Sequence, residues 1–260
     1  MDKQSNFNTS EGNVLTLDIG GSNIKAVVLK SDGEYLSEYQ KIETPISPTP
    51  ENIIKAIKDL ILPMPAYDKI AVGFPGYVKD GIIQTAPNLG NNFWKDVNLG
   101  KMLADELQNP VRLVNDADLQ GLALINGKGL EMVITLGTGF GTALFMDGRL
   151  LPHLELAHLP VRKNKDYDAF IGEGALQKEG LENWNERMKE VLQTFKTVIN
   201  YDSLFISGGN AKRLSFTLDE NIKIVSNKDG IKGGAFLWQV EESYCVKSAY
   251  PSPKQLENGN

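Results

Sequence analysis

The chain is short of the residues that build disulfides and metal cages. It has one cysteine, Cys245, and two histidines, His153 and His158. A single thiol excludes an internal disulfide and a thiolate cluster. With only two imidazoles, no zinc is expected. Long apolar runs are missing as well: no stretch approaches the length of a membrane span. The first 13 residues are polar and lack the apolar centre of a signal peptide. Positive charge is not in excess either. Lys and Arg number 27 against 33 Asp and Glu, a net charge of -6, and the pI is about 5.1. That balance argues against nucleic acid as the main partner, although a local basic strip can sit on an acidic protein. What remains is a cytoplasmic enzyme or sensor, with neither nucleic acid nor a membrane as partner. At 260 residues, 41% hydrophobic and 23% charged, the chain can bury the core of one large domain or two small ones.

Glycine, by contrast, is concentrated in three turns. They are Asp18-Ile19-Gly20-Gly21-Ser22-Asn23-Ile24-Lys25, Leu136-Gly137-Thr138-Gly139-Phe140-Gly141-Thr142 and Ser207-Gly208-Gly209-Asn210. Each follows a short apolar run that reads as a strand: 14–17, 132–135 and 204–206. A glycine-rich turn leaving a strand lets backbone N–H groups approach an anion, because no Cβ blocks the way. One such turn is usually a hairpin. Three, with an aspartate closing the first strand, point to a nucleotide or polyphosphate held between two lobes.

The order of elements supports two lobes. Strands are expected near 14–18, 24–30 and 34–42, with Ser31-Asp32-Gly33 as a hairpin turn. A Pro-rich stretch leads into a helix with Ile53, Ile54, Ile57, Leu60 and Ile61 at helical spacing, and a strand follows at 69–73. The second half repeats the plan. It has strands near 131–136 and 142–146, a turn at Asp147-Gly148 and the run 149–151. A long helix carrying Trp184, Met188, Val191, Leu192 and Phe195 comes next, then a strand at 203–206. The expected organisation is a disordered tail over 1–13, an α/β domain over 14–113, a second over 114–245 and a polar tail over 246–260.

Three constellations carry possible chemistry. In the first turn, Ser22 and Lys25 offer a hydroxyl and a cation, and Asp18 stands where it can hold Mg²⁺ through water, since Mg²⁺ keeps much of its hydration shell. The same residues also suit a tight hairpin with an incidental aspartate. Asn115-Asp116-Ala117-Asp118 follows an apolar strand and opens a helix. Asp116 there can accept a proton from a substrate hydroxyl, while Asn and Asp are equally favoured as helix N-caps. Glu155 and His158, three apart, share one face of a helical turn. They can bond adjacent sugar hydroxyls, or be an ordinary surface Glu and a satisfied His.

Taken in order, these segments resemble the ROK family of sugar kinases, from about Leu15 to Trp238, and within it the polyphosphate glucokinase branch. The features of that branch are 136–145 followed by Asp147-Gly148, the segments at 180–185, and Ser207-Gly208-Gly209-Asn210-Ala211-Lys212. The resemblance implies an α/β, two-domain actin-like ATPase (ribonuclease H-like) fold with a central cleft. It implies Gly20, Gly21, Ser22, Lys25, Gly137, Thr138, Gly139, Gly141, Gly208 and Gly209 as phosphate or nucleotide contacts, and Asp116 as general base. Gly76, Asn88, Asn115, Glu155 and His158 would contact the sugar, and Asp18 would hold Mg²⁺ through water. The implied activity is transfer of a phosphoryl group from polyphosphate or ATP to the 6-hydroxyl of glucose or a related hexose, by a homodimer. A non-catalytic sugar sensor, hydrolysis of the donor without a sugar acceptor, and a kinase for another hexose such as an N-acetylhexosamine are the alternatives. Ala157 departs from the family glycine between Glu155 and His158, and Ser207 stands where the family often has glycine. Arg162-Lys163-Asn164-Lys165 is the candidate basic track for a long polyanion, or else a solvated loop.

Overall fold

The computed structural model describes residues 11–226 and 229–253. The first half runs β1 (Val14–Ile19), β2 (Asn23–Leu29), β3 (Gln40–Glu43), α1 (Pro50–Ile61), β4 (Lys69–Phe74), β5 (Val78–Lys79), β6 (Ile82–Ile83), α2 (Asn91–Trp94), α3 (Leu99–Leu107) and β7 (Val111–Asn115). The second runs α4 (Asp116–Gly121), β8 (Leu130–Leu136), β9 (Phe140–Met146), β10 (Arg149–Leu150), β11 (Pro160–Arg162), β12 (Lys165–Asp166), α5 (Tyr167–Ile171), α6 (Glu173–Glu179), α7 (Leu181–Ile199), β13 (Ser203–Ser207), β14 (Ile222–Ile224), α8 (Gly233–Leu237) and β15 (Ser248–Ala249).

Two mixed sheets result. One has the order β15-β7-β4-β1-β2-β3 and the other β10-β9-β8-β13-β14. Each is built from an antiparallel hairpin around a glycine turn, β1–β2 and β8–β9. A parallel strand that returns after a helical segment then pairs with the hairpin's first strand, β4 on β1 and β13 on β8. This is the internal repeat expected from the order of elements. Val14, Leu15 and Leu17 of β1 are fully buried, as are Met132, Val133 and Ile134 of β8. Continuous apolar burial of this kind marks a strand covered on both faces. The hairpin expected around Ser31-Asp32-Gly33, between β2 and β3, is looser than expected. After the turn at Gly33 (φ +87°) only the bridge Leu29–Tyr35 forms, and regular pairing resumes at β3.

Within the expected tail over 246–260, residues 246–249 depart from that reading, and 254–260 lie outside the described residues. β15 adds to the first sheet beside β7, and Val246 is buried in the core shared by the two lobes. Arg112, 2% exposed on β7, holds this return. Its Nε donates to Ser248 Oγ at 3.0 Å, its Nη1 to the carbonyls of Leu237 and Val240 at 2.7 Å each, and its guanidinium lies 4.5 Å from the centre of the Trp238 ring. A buried guanidinium needs every donor satisfied, and the returning chain supplies the acceptors. The expected cut at 113/114 falls inside β7, and the boundary at 245 separates α8 from a segment lodged on the same sheet. At the other end, residues 1–10 of the expected tail lie outside the described residues. Residues 11–13 are tied down: Lys69 Nζ donates to the Glu11 carbonyl and Asn13 N–H to Asp68.

Candidate active site

The two sheets present the exits of β1, β4, β7, β8 and β13 to one cleft. Each residue assigned above to the phosphate turns, the sugar loops, the base and the metal lines a single cavity there, of about 320 Å³. The three turns meet because the hairpins β1–β2 and β8–β9 face each other and β13 delivers Gly208 and Gly209 beside β8.

The glycines divide by what surrounds them. Gly208 has φ +96°, and a Cβ there would run into the Leu136 backbone. Its conformation and packing both require glycine. A Cβ at Gly137 or Gly209 would meet no protein atom within 4 Å. Nothing in the fold demands glycine at those two positions, and the vacant room faces the cavity.

On the acceptor side, Asn115 is the N-cap of α4. Its Oδ1 accepts from Ala117 N at 2.8 Å and Asp118 N at 3.4 Å, and its Nδ2 donates to the Gly76 carbonyl at 3.1 Å. The cap therefore locks the loop at Gly76, one of the expected sugar contacts, to the helix carrying Asp116. Burial, together with the nearby Asp18, raises the Asp116 carboxyl to about 7. A carboxylate with that affinity is matched to general-base work near neutral pH. Asp118 lies two residues on, roughly 200° around the helix. It turns away from the main cavity to His153 at 3.0 and 3.1 Å.

Glu155 and His158 flank a 3-10 turn over Leu156–His158, with Glu155 Oε2 3.8 Å from His158 Nε2. Ala157, in the glycine's place, needs no left-handed backbone, and its methyl is buried in the second core. The substitution thus adds packing without disturbing the pair.

Asp18 and Lys25 are cross-strand partners, with Nζ 2.8 Å from Oδ2. Burial works against the Lys25 charge, and Asp18 outweighs it, so the ammonium is held above its usual range. Asp18, Asp116 and Asp168 line the cavity, but no group of three acidic, His or Cys side chains among the described residues is close enough to cage a metal. That donor set fits Mg²⁺, which takes one or two carboxylates and fills its octahedron with water and substrate phosphate.

Two residues escaped the sequence reading. Asp168 on α5 accepts from Phe140 N at 2.7 Å and pins the second glycine turn. His153 sits behind the sugar loop between Asp118 and Glu155. Nothing local announces either, since Phe140 is 28 residues from Asp168 and Asp118 is 35 from His153. At the candidate basic track, two of the three cations have acidic neighbours. Arg162 binds both oxygens of Glu190 at 2.6 Å, and Lys165 lies 3.8 Å from Glu179. The cluster is a hairpin tip ion-paired to α6 and α7.

The ROK family model matches residues 14–164. The chain belongs to the ROK family. It is 31% identical over 229 residues to the polyphosphate glucokinase of Mycobacterium leprae, covering 85% of this chain and 69% of that protein. It is 32% identical over 144 residues to the N-acetylmannosamine kinase of Escherichia coli O139:H28, 53% of this chain and 48% of that one. The crystal structure of the inorganic polyphosphate/ATP-glucomannokinase of Arthrobacter sp. strain KM superposes with a TM-score of 0.78 at 28% identity, covering 87% of this chain and 98% of that chain. The two-lobed fold with a central cleft is the one the family resemblance implies. Among the described residues no helix is long and apolar enough to cross a membrane.

Proposed function

We propose that this ROK-family sugar kinase transfers a terminal phosphoryl group from polyphosphate or ATP to the 6-hydroxyl of glucose. The observation that carries the reading is one cavity in which two glycine turns face a carboxyl raised to about 7 beside the sugar loops. Asp116 takes the hydroxyl proton as the oxygen attacks in line. Asn115, Glu155 and His158 hold the sugar hydroxyls and aim the 6-position at the donor. The turns at Gly20-Gly21 and Gly137–Gly141, with Gly208-Gly209, cradle the donor phosphates on backbone N–H groups. Catalysis on this plan is positioning and charge stabilisation. When bound, Mg²⁺ would be held by Asp18 through water and would neutralise charge on the donor phosphates. Closing the lobes excludes water and limits donor hydrolysis.

The choice of glucose and of polyphosphate follows the relatives in Mycobacterium leprae and Arthrobacter. The Escherichia coli relative supports an N-acetylhexosamine as the second reading for the acceptor. A matrix of ATP and polyphosphate against glucose, mannose and N-acetylmannosamine, read as sugar phosphate formed, tests all of it. Product with glucose and either donor is expected. Donor consumption independent of sugar would make the protein a hydrolase, and saturable sugar binding without turnover would make it a sensor.

A further inference from the structure

His153 has no part in the transfer described above, yet it is built into the site. Its side chain is 7% exposed and that of its partner Asp118 4%. The imidazole Nδ1 lies between the two Asp118 oxygens at 3.0 and 3.1 Å. Nε2 is buried without a hydrogen-bond partner and points toward Glu155 Oε1, 3.7 Å away. The other Glu155 oxygen is 3.8 Å from His158 Nε2, and His158 Nδ1 is 3.1 Å from Asp166 Oδ2. Acid and imidazole alternate over five side chains, Asp118, His153, Glu155, His158 and Asp166, along the sugar side of the cleft. One end of the chain is rooted on α4, which also carries Asp116. The other is rooted at the N-cap of α5, where Asp166 Oδ1 accepts from Ala169 N.

Resting on the sugar-kinase reading, we propose that His153 is a positioning residue: held by Asp118, it fixes the direction of the Glu155 carboxylate and ties the sugar loop to the helix of the base. The geometry explains the orphaned Nε2. A buried N–H without an acceptor is costly, and a small rotation of Glu155 would close the 3.7 Å gap to a charge-assisted bond. Catalytic hydrogen bonds are often long before substrate docks and tighten afterwards. Electrostatics agree. Burial opposes a charged ring, and Asp118 outweighs it, pushing His153 up to about 10. The groups facing the ring are Asp118 from α4, Glu155 on its own loop, and Tyr77, which follows Gly76 and whose ring stacks at 6.0 Å. Lys79, Tyr244 and Cys245 line the small cavity beside it. The acids nearest the ring hold its proton, and Glu155 is in turn drawn below the usual carboxylate range by its histidines, against burial.

The test compares His153→Gln, Glu155→Gln and the double variant in steady-state kinetics, after wild type has been shown to phosphorylate a hexose. The expected result is a sugar KM about tenfold higher in His153→Gln, with kcat and donor KM within about threefold. In the double variant the His153 effect should shrink to about twofold, because a residue acting through Glu155 has nothing left to aim. Effects that multiply in the double variant, an unchanged sugar KM, or an equal loss in both KM values and kcat would each overturn the proposal. Should His153→Gln fail to fold, ring ¹⁵N NMR of wild type and Asp118→Asn replaces it. The ring should stay doubly protonated at pH 8 in wild type and lose that proton in the variant; a neutral wild-type ring refutes the clamp. A wild type that phosphorylates no hexose removes the kinase reading first and this inference with it.

Discussion

Replacing Asp116 with Asn should slow the enzyme and stabilise the fold, and both effects come from one side chain. The carboxyl is raised from 3.8 to about 7, chiefly by burial and then by Asp18. Between those two values the native state holds a proton that the unfolded chain has released. Stability therefore falls as pH rises from about 4 to about 7, and the full penalty persists above that. Three pKa units correspond to a ceiling of about 4 kcal/mol. Asp116 lines an open cleft, so solvent screening reduces this to about 1–2 kcal/mol. An amide has no such penalty. For 260 residues, an unfolding entropy of about 2.1 cal/mol/K per residue converts the gain to about 2–4 °C in Tm. Differential scanning calorimetry without Mg²⁺ or donor should find no gain near pH 4 and a plateau above pH 7. The variant should lose about 10²–10⁴ in kcat, with sugar affinity kept, and the wild-type kcat/KM should fall on the acid side with a midpoint near 7. Turnover within a few-fold of wild type would show that Asp116 is not the base. A lost rate with no pH-dependent gain in Tm would refute the account of its burial.

Three further outcomes follow from the site. Glu155→Gln and His158→Ala should raise the KM for sugar while leaving that for the donor within about threefold, since unpaired polar groups are felt by the ligand that bonded them; a rise confined to the donor would move both residues to the phosphate side. Gly209→Ala should leave Tm within about 1 °C, because its Cβ meets no protein atom, but raise the donor KM at least tenfold, whereas Gly208→Ala, at φ +96° against Leu136, should lower Tm by several degrees; equal Tm values would contradict that division. Arg162→Gln should change polyphosphate and ATP use alike and by less than about twofold, because its charge is already paired with Glu190; a selective loss with long polyphosphate, steepening at low salt, would restore the basic track.

Features that depend on near neighbours could be read from the chain alone. Each glycine turn leaves its own apolar strand within a few residues, and the hairpins at 18–25 and 136–142 close on themselves. Ile53, Ile57 and Leu60 mark the buried face of α1 by period. Asn115 caps the N–H groups two and three residues on. Such signals survive because the energy lies in local geometry. The rest depended on partners brought in from far along the chain. β15 is two residues long and polar around it, and it becomes a strand only because β7, more than 130 residues earlier, offers an edge and a buried Arg112 beside Ser248. Arg162 in the sequence is a cation of an anion track or of a solvated loop, and only the fold brings Glu190 against it. Position in the motif singles out Asp116 in the string Asn-Asp-Ala-Asp, but the environments of Asp116 and Asp118 cannot be read from it. Helical rotation sends one into the cleft and the other to His153, and each carboxyl's role is set by that burial and those neighbours. Backbone turns are local properties, whereas the charge state and direction of a side chain belong to its surroundings, which exist only once the chain has folded.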